Sequence, residues 1–499
     1  MSQTLSNALA WWARMRGDQA AIVLRGERLS YAEYKGWSDR IAAMLIAKGL
    51  RPGERVAVCS TNSLAYAALI MGTIRAGGIV SPINYRYTPR EIAELCESTE
   101  PALAYAASEQ VGQMADAGLD ALDMAEIESL RHGQPARVDH DPDPDAAVVI
   151  IATSGSTAKP KGVVYTNRSM TAYAANWSVE ETSTAPGSRV ISLAPLNTSA
   201  GFVQLMHYAT QGCTLYMEPQ FDALKALRLI EDQRITCFAA VPAFFEFIAA
   251  LPEFETADLS SIQLATAGGA RVSRQLLDAY KAKGVTIRQI YGQTEVGGNA
   301  TIMPEHLALD QPDKCGWGGV FIDIRVVRPD GTDCDPDEPG EILMRSPGMM
   351  KEYWRNPEET AKTVRDGWLY SGDIGSLDVN GMLTFIDRMK DLIISGGLNI
   401  SAAEVEKVVC EFPGVVEALA IAAPDTKFGE TPFIIYHGPA EIDVAALIAY
   451  CNGNLSNYKV PRYVAYSAEP LPRLATGKLS KPAVRELYAG AHERLARVR

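Results

Sequence analysis

The chain is poor in three things, and each shortage closes a class of function. No two of its eight cysteines (Cys59, Cys96, Cys213, Cys237, Cys315, Cys334, Cys410 and Cys451) stand at CxxC spacing, which argues for reduced thiols packed as small apolar residues and against a zinc ribbon or a disulfide scaffold. It has no block dense in lysine and arginine: 47 basic residues face 60 acidic ones, a balance of −13. Such a surface offers no continuous positive field, so neither nucleic acid nor membrane is an expected partner. Long apolar runs are also missing. The most apolar stretches, 67–80 (broken by Arg75) and 146–152, fall short of the roughly 20 residues that span a bilayer. The opening MSQTLSNALAWWARMRG lacks the basic start, apolar core and cleavage site of a secretory leader, so the expected location is cytoplasmic.

What is present is ordinary globular composition, 47 % hydrophobic and 21 % charged over 499 residues, enough for several compact units at roughly 150 residues each. Ser30-Tyr31-Ala32-Glu33 has capping-box spacing, and Ile41, Met44, Leu45 and Leu50 follow at helical period until Pro52-Gly53. A strand is expected at 56–59, a helix at 64–76, a capped helix from Thr88-Pro89-Arg90-Glu91, and strands at 102–106 and 146–152, the last apolar enough to be buried on both faces. Strands alternating with helices of this length need crossover connections and largely parallel sheets, which makes the fold class α/β. Turns at Asp330-Gly331 and 378–381 make 318–385 β-rich, and after Arg388 the pattern restarts with a strand at 392–395 and a helix at 401–410. The expected division is a large N-terminal domain, 1–389, of parallel-sheet α/β subdomains plus a β-rich subdomain, and a small α+β C-terminal domain, 390–499.

Directly after the buried strand comes Thr153-Ser154-Gly155-Ser156-Thr157-Ala158-Lys159-Pro160-Lys161-Gly162. Glycines let backbone amides approach oxyanions, hydroxyls donate further hydrogen bonds, and lysines neutralise charge, so the loop is suited to phosphate. It is not a Walker loop, because Pro160 stands where the second glycine belongs. A flexible connector has the same composition.

The loop resembles the signature of the adenylate-forming superfamily, which includes acyl-CoA synthetases, peptide-synthetase adenylation domains and firefly luciferases. Further segments match family patterns in the same order: Tyr291-Gly292-Gln293-Thr294-Glu295, Gly340-Glu341, Tyr370-Ser371-Gly372-Asp373, Asp387-Arg388-Met389-Lys390-Asp391, Ser395-Gly396-Gly397, and Leu471-Pro472-Arg473 through Gly477-Lys478. The resemblance implies two steps. A carboxylate attacks the α-phosphorus of ATP to give an acyl adenylate and pyrophosphate, and a thiol then displaces AMP. A carboxylate is already ionised near neutral pH, so catalysis rests on joining two anions and stabilising phosphoryl charge.

The family's roles transfer residue by residue. Thr153, Ser154, Gly155, Ser156, Thr157 and Lys161 would hold phosphate. Gly268, Gly269 and Ala270 would line adenine, although Arg271 stands where the family commonly has proline. Tyr291 would pack on the base with Gly292 and Gln293 beside it, Thr294 would bond the α-phosphate, and Glu295 would contact Mg²⁺. Asp373 and Arg388 would take the ribose hydroxyls. Lys478 would be the mobile lysine bridging acid and α-phosphate, Lys390 the hinge of a mobile C-terminal domain, and Ser395, Gly396 and Gly397 the edge that admits pantetheine. Each has an ordinary alternative: core for Tyr291, a surface ion pair for Glu295, a turn for Asp373, a solvated cation for Lys478.

For the acid, Thr198, Ser199, Ala200, Gly297 and Gly298 are small and Phe202, Val203 and Val241 are apolar, which suits an aromatic or cyclic acid that is uncharged apart from its carboxylate, with a medium-chain fatty acid as the alternative. Asn197, Thr198 and Asn167 replace an aromatic residue and histidines common in relatives, and Thr198 and Ser199 also suit a helix start. No carrier module is fused to the chain, so the expected thiol is coenzyme A, with Arg86 as a candidate for its phosphates or else a surface ion pair. ATP, Mg²⁺ and coenzyme A are therefore the expected small molecules beside the acid. A nucleotide-binding relative without catalysis is the reading from a different class.

Overall fold

The computed structural model describes residues 3–140, 142–153, 161–181, 183–473 and 478–499. By packing, the chain forms two compact units, Met1–Ile324 with Met344–Tyr370, and Arg325–Leu343 with Ser371–Arg499. The α/β class holds in the first. Among the described residues no helix is long and apolar enough to cross a membrane.

The first unit carries two large sheets. One runs Glu352–Tyr353, Lys161–Thr166, Ala147–Thr153, Ile79–Ile83, Arg55–Cys59, Leu103–Ala106, Leu122–Asp123. Its Ile79–Ile83, Arg55–Cys59 and Leu103–Ala106 strands are parallel, joined by crossover helices whose starts follow the sequence signals. Ser30 caps Tyr31–Ala47 with Glu33 returning the bond, and Thr88 and Glu91 do the same for Pro89–Thr99, with Pro89 in its first turn. Val148, Val149, Ile150 and Ile151 are buried, as an apolar run at the centre of a covered sheet requires. That strand pairs with Ile79–Ile83 in parallel and with Lys161–Thr166 antiparallel, so the two strands that flank residues 154–160 lie side by side.

The second sheet of this unit runs Trp317–Gly318, Gly298–Ile302, Ile287–Gln293, Leu264–Gly268, Cys237–Ala240, Arg189–Ser192, Thr214–Met217, Ala20–Leu24, Glu27–Ser30. Its middle pairs are parallel and its edges antiparallel. The C-terminal ends of parallel strands are where such sheets bind ligands, and Gly268 and Gln293 lie at two of those ends.

The β-rich stretch is real but contains a helix the alternation did not signal, Pro357–Thr363, opened by the Asn356 cap and a proline in its first turn. In the second unit, strand Leu383–Arg388 pairs with Trp368–Leu377. A further sheet orders Leu398–Ile400, Ile393–Ser395, Gly429–His437 and Glu417–Asp425, with Tyr463–Ser467 on Gly429–His437. This division by packing differs from the expected boundary at residues 389 and 390. Ser401 Oγ donates to Asp387 Oδ2 at 2.9 Å and the Ala403 N–H donates to it at 3.0 Å, so the strand before the boundary is bonded to the start of the helix after it. Packing therefore groups the two.

Candidate active site

In the first unit the chemistry-bearing residues meet around one tyrosine. Thr153 pairs with Lys161 across the two antiparallel strands, and its Oγ1 donates to the Lys161 carbonyl at 3.2 Å. Ser154, Gly155, Ser156 and Thr157 lie outside the described residues. The Lys161 ammonium is paired with the Glu359 carboxylate and stands 5.1 Å above the Tyr353 ring. The Tyr353 hydroxyl donates to Glu295 Oε1 at 2.8 Å. Burial, reinforced by the Glu295 charge, pushes the Tyr353 phenol well above its usual range, so it remains a donor. Glu295 Oε2 takes no hydrogen bond among the described residues. A half-buried carboxylate with one oxygen anchored and one uncommitted fits a magnesium ion held mainly by substrate oxygens and water.

A second tyrosine fixes the neighbouring residue. Tyr165 donates to the Thr294 carbonyl at 2.6 Å, and Ser199 Oγ, 3.1 Å away, is left to donate to Tyr165. Thr294 and Ser199 are thus joined through a buried phenol, which burial keeps protonated. Tyr291 is buried on strand Ile287–Gln293, with its N–H donated to Thr301 Oγ1 at 3.2 Å, and Gly292 and Gln293 close that strand. Gly268 ends strand Leu264–Gly268, followed by the exposed Gly269 and Ala270. Arg271, in place of a proline, is paired with Asp313.

Several acyl candidates prove to have backbone duties as well. Thr198 caps helix Ser199–Gln211, accepting the Gly201 N–H at 3.2 Å and donating to the Pro195 carbonyl at 2.7 Å. Gly297 and Gly298 have φ of 97° and 127°, conformations other residues rarely adopt, so their smallness serves the turn between two strands. Phe202 and Val203 are buried, Val241 is half-buried and Ala200 is exposed. Asn167 accepts the Leu5 N–H at 3.1 Å and donates to the Asp143 carbonyl at 3.2 Å, a structural tie. Asn197 donates to the Ile83 carbonyl at 3.4 Å. Arg86 is exposed, stacked on Tyr85 at 5.5 Å.

The second unit gathers its own group. Asp373, 3 % exposed, lies 3.6 Å from Arg388 Nε across the register pair Asp373↔Arg388. Ser371 Oγ accepts the Asp373 N–H at 3.0 Å, and Glu341 Oε1 accepts the Gly372 N–H at 3.0 Å. These bonds set the turn that aims the aspartate. Lys478 is half-buried within electrostatic reach of the same pair: burial first, then Arg388, lower its pKa, while Asp373 opposes the shift. Lys390, exposed in the turn Met389–Asp391, is lowered by desolvation and Arg388. Next to it Asp391 is paired with Arg485 at 2.7 Å. Ser395 is buried; Gly396 and Gly397 form the two-residue turn of the hairpin Ile393–Ser395 and Leu398–Ile400, with φ of 60° and 81°. Positive φ at both central positions is the requirement of a twisted tight hairpin. A side chain at Gly397 would enter open space.

Tyr353, Glu359 and Tyr165 were not among the expected site residues. Tyr353 sits on a two-residue strand with no periodic signal. Tyr165 lies just beyond the phosphate loop, the one cue that could have drawn attention to it.

Residues 9–354 match the family described as AMP-binding enzyme, and residues 404–478 match AMP-binding enzyme C-terminal domain. The chain is 33 % identical over 473 residues to long-chain-fatty-acid–CoA ligase FadD13 of Mycobacterium tuberculosis, covering 93 % of each. It is 33 % identical over 482 residues to feruloyl-CoA synthase of Amycolatopsis sp., covering 95 % of this chain and 97 % of that one. A solved structure of o-succinylbenzoate CoA synthetase (MenE) from Bacillus subtilis, in complex with its acyl-adenylate intermediate, superposes with a TM-score of 0.88 at 26 % identity, covering 96 % of this chain and 98 % of that one.

Proposed function

Because this chain belongs to the AMP-binding enzyme family and is an AMP-forming acid–thiol ligase that joins a carboxylic acid to coenzyme A, we propose that its acid is aromatic or cyclic and that its two steps alternate by rotation about Lys390. A carboxylate oxygen attacks the α-phosphorus of ATP, the bond to the bridging oxygen breaks, and pyrophosphate leaves. The coenzyme A sulfur then attacks the acyl carbon, its proton goes to solvent, and AMP leaves.

The observation that carries the reading is the approach of Lys478 to Asp373 and Arg388. A partly desolvated ammonium beside the residues suited to ribose hydroxyls is well placed for a nucleotide's α-phosphate, where fixed positive charge stabilises the transition state. The carboxylate of Asp373 accepts from two vicinal hydroxyls, Tyr291 packs on adenine, and Gly268 to Ala270 expose backbone to the base edge. Thr294 and the segment from Thr153 to Lys161 hold phosphate. Lys161, already paired with Glu359, acts with that partner. Glu295 is the residue to hold Mg²⁺, which when bound would neutralise charge on the triphosphate oxygens. In the second step Lys390 turns, Lys478 withdraws, and Ser395, Gly396 and Gly397 line the thiol's path, with Arg86 available to coenzyme A phosphates.

The aromatic or cyclic acid is supported by the apolar Phe202, Val203 and Val241 and by the named acids of feruloyl-CoA synthase and o-succinylbenzoate CoA synthetase. The name of FadD13 favours a fatty acid instead. A panel of aromatic, alicyclic and straight-chain acids, scored by pyrophosphate release, decides between them. Highest kcat/KM on an aromatic or alicyclic acid supports the first reading, and highest kcat/KM on a straight chain supports the second. ATP, coenzyme A and free thiols, of which Cys59, Cys96, Cys213, Cys237 and Cys451 are buried and Cys410 is exposed, fit a cytoplasmic enzyme.

A further inference from the structure

The turn at Gly396 and Gly397 is held from outside its own hairpin. Gly396 donates its N–H to the Phe428 carbonyl at 2.7 Å, and a Cβ placed on Gly396 would stand 3.1 Å from the Phe428 ring. Phe428 lies in the turn that joins strands Glu417–Asp425 and Gly429–His437. That turn is shaped by Asp425, whose Oδ1 accepts the N–H groups of Lys427 and Phe428, each at 2.9 Å. An aspartate closing a turn on amides just ahead of it is ordinary local chemistry. Its burial is not ordinary: the side chain is 1 % exposed, and a buried carboxylate is costly unless its charge is met. Two arginines meet it. Asp425 Oδ2 makes no hydrogen bond, and Arg497 Nη2 stands 3.1 Å from it and Arg462 Nη1 4.0 Å. The Arg462 guanidinium also lies over the Phe428 ring at 4.3 Å. The Arg462 carbonyl accepts the Val498 N–H at 3.0 Å, which brings the neighbouring Arg497 to the aspartate.

We propose that Asp425 and Arg497 are positioning residues for the thioester step: they brace the turn at Phe428, and through its carbonyl they hold Gly396 and Gly397 in the conformation that admits the thiol. This rests on the reading of Gly396 and Gly397 as the path of coenzyme A. Without the Arg497 charge, the nearest cation to the buried carboxylate is Arg462 at 4.0 Å. The carboxylate then draws in water or pulls Arg462 from Phe428, and the carbonyl that fixes Gly396 moves with the turn. Contact between the two turns passes the shift on directly. The charges that act on Lys478 are Arg388 and Asp373, so adenylation does not draw on the brace.

The test assays Arg497→Ala, Arg497→Lys and Asp425→Asn for pyrophosphate release and, separately, for thioester formation from supplied acyl adenylate and coenzyme A. Misplacing a positioned group by about 1 Å costs up to about 10²-fold, and the brace acts at one remove, so Arg497→Ala should lower kcat/KM for coenzyme A about 10-fold. Pyrophosphate release should stay within about 2-fold of the unsubstituted chain, since no group of that step is displaced. Lys478 belongs to the same unit as the brace, so retained release also reports that this unit is folded. Arg497→Lys keeps the charge and should recover most of the loss. Asp425→Asn keeps an acceptor for both amides and loses only the charge pair; its selective loss of thioester formation carries the test even where Arg497→Ala does not fold. Thioester formation unchanged in Arg497→Ala and Asp425→Asn, or both steps reduced equally, overturns the brace. If Gly397→Val nevertheless slows transfer, the thiol path stands without its brace; if Gly397→Val is also silent, the path falls with it.

Discussion

Replacing Lys478 with alanine removes the single charge that the proposed first step depends on. Lys478 is half-buried beside Asp373 and Arg388, so its field is screened less than a surface lysine's. At about 4 Å from a phosphoryl oxygen and an effective dielectric constant of about 20, a unit-charge interaction is about 4 kcal/mol. Part of it is already present in the ground state, which leaves roughly 10²–10³-fold in rate, the range for removing one preorganised donor. Adenylation is read as pyrophosphate release, and thioesterification from supplied acyl adenylate and coenzyme A is read separately. Lys478→Ala should lose the first by that factor and keep the second. The pH dependence gives an independent check. The bridging role needs the ammonium form, and burial with Arg388 lowers its pKa, so adenylation should begin to fall with rising pH earlier than it would for an ordinary lysine. Lys478→Arg keeps its charge at every accessible pH and should move that decline upward. Equal loss of both half-reactions in Lys478→Ala, or an alkaline limb unchanged by Lys478→Arg, would refute the reasoning.

Tyr353→Phe deletes the bond that anchors Glu295; loss of such a supporting partner weakens metal binding about 10–100-fold. The Mg²⁺ concentration for half-maximal pyrophosphate release should rise accordingly, and an unchanged titration counts against Glu295 as the metal contact. Gly397→Val should depress thioester formation more than adenylation, whereas Gly397→Asn, which tolerates the left-handed turn, should preserve the folded hairpin and still slow coenzyme A transfer. The opposite order, with pyrophosphate release hit harder, speaks against this turn as the thiol's path. Asn167→Ala removes two ties that hold Leu5 and Asp143. It should cost about 1–3 kcal/mol in denaturant unfolding with kcat nearly unchanged; a collapse of kcat at full stability would mean Asn167 acts in the reaction.

The legible parts of the chain were those where chemistry is local. Capping at Ser30 and Thr88 needs only neighbours three residues away, and the apolar run at 146–152 declares its burial by composition. The site's contacts depend on segments distant in sequence. Lys161 and Tyr353 stand on paired strands of one sheet, whereas Glu295 lies in the turn after a strand of the other sheet and Glu359 in a short helix after Tyr353, so the phenol linking them had no signature of its own. Thr198, Gly297 and Gly298 were read as small residues suited to an acid pocket, with a helix start as the alternative for Thr198; the structure shows that helix start and, at the two glycines, positive φ. A small residue reports that space or backbone freedom is needed without saying which. The segment from Thr153 to Gly162 was read as a phosphate loop from its sequence, and its residues 154–160 lie outside what is described.

The account stands on an acyl adenylate, and transfer of oxygen from acid to nucleotide tests that most directly. With the carboxylate labelled in heavy oxygen, and ATP, Mg²⁺ and coenzyme A supplied, one labelled atom should appear in AMP for each thioester formed. Label absent from AMP, or ADP as the nucleotide product, would contradict the account.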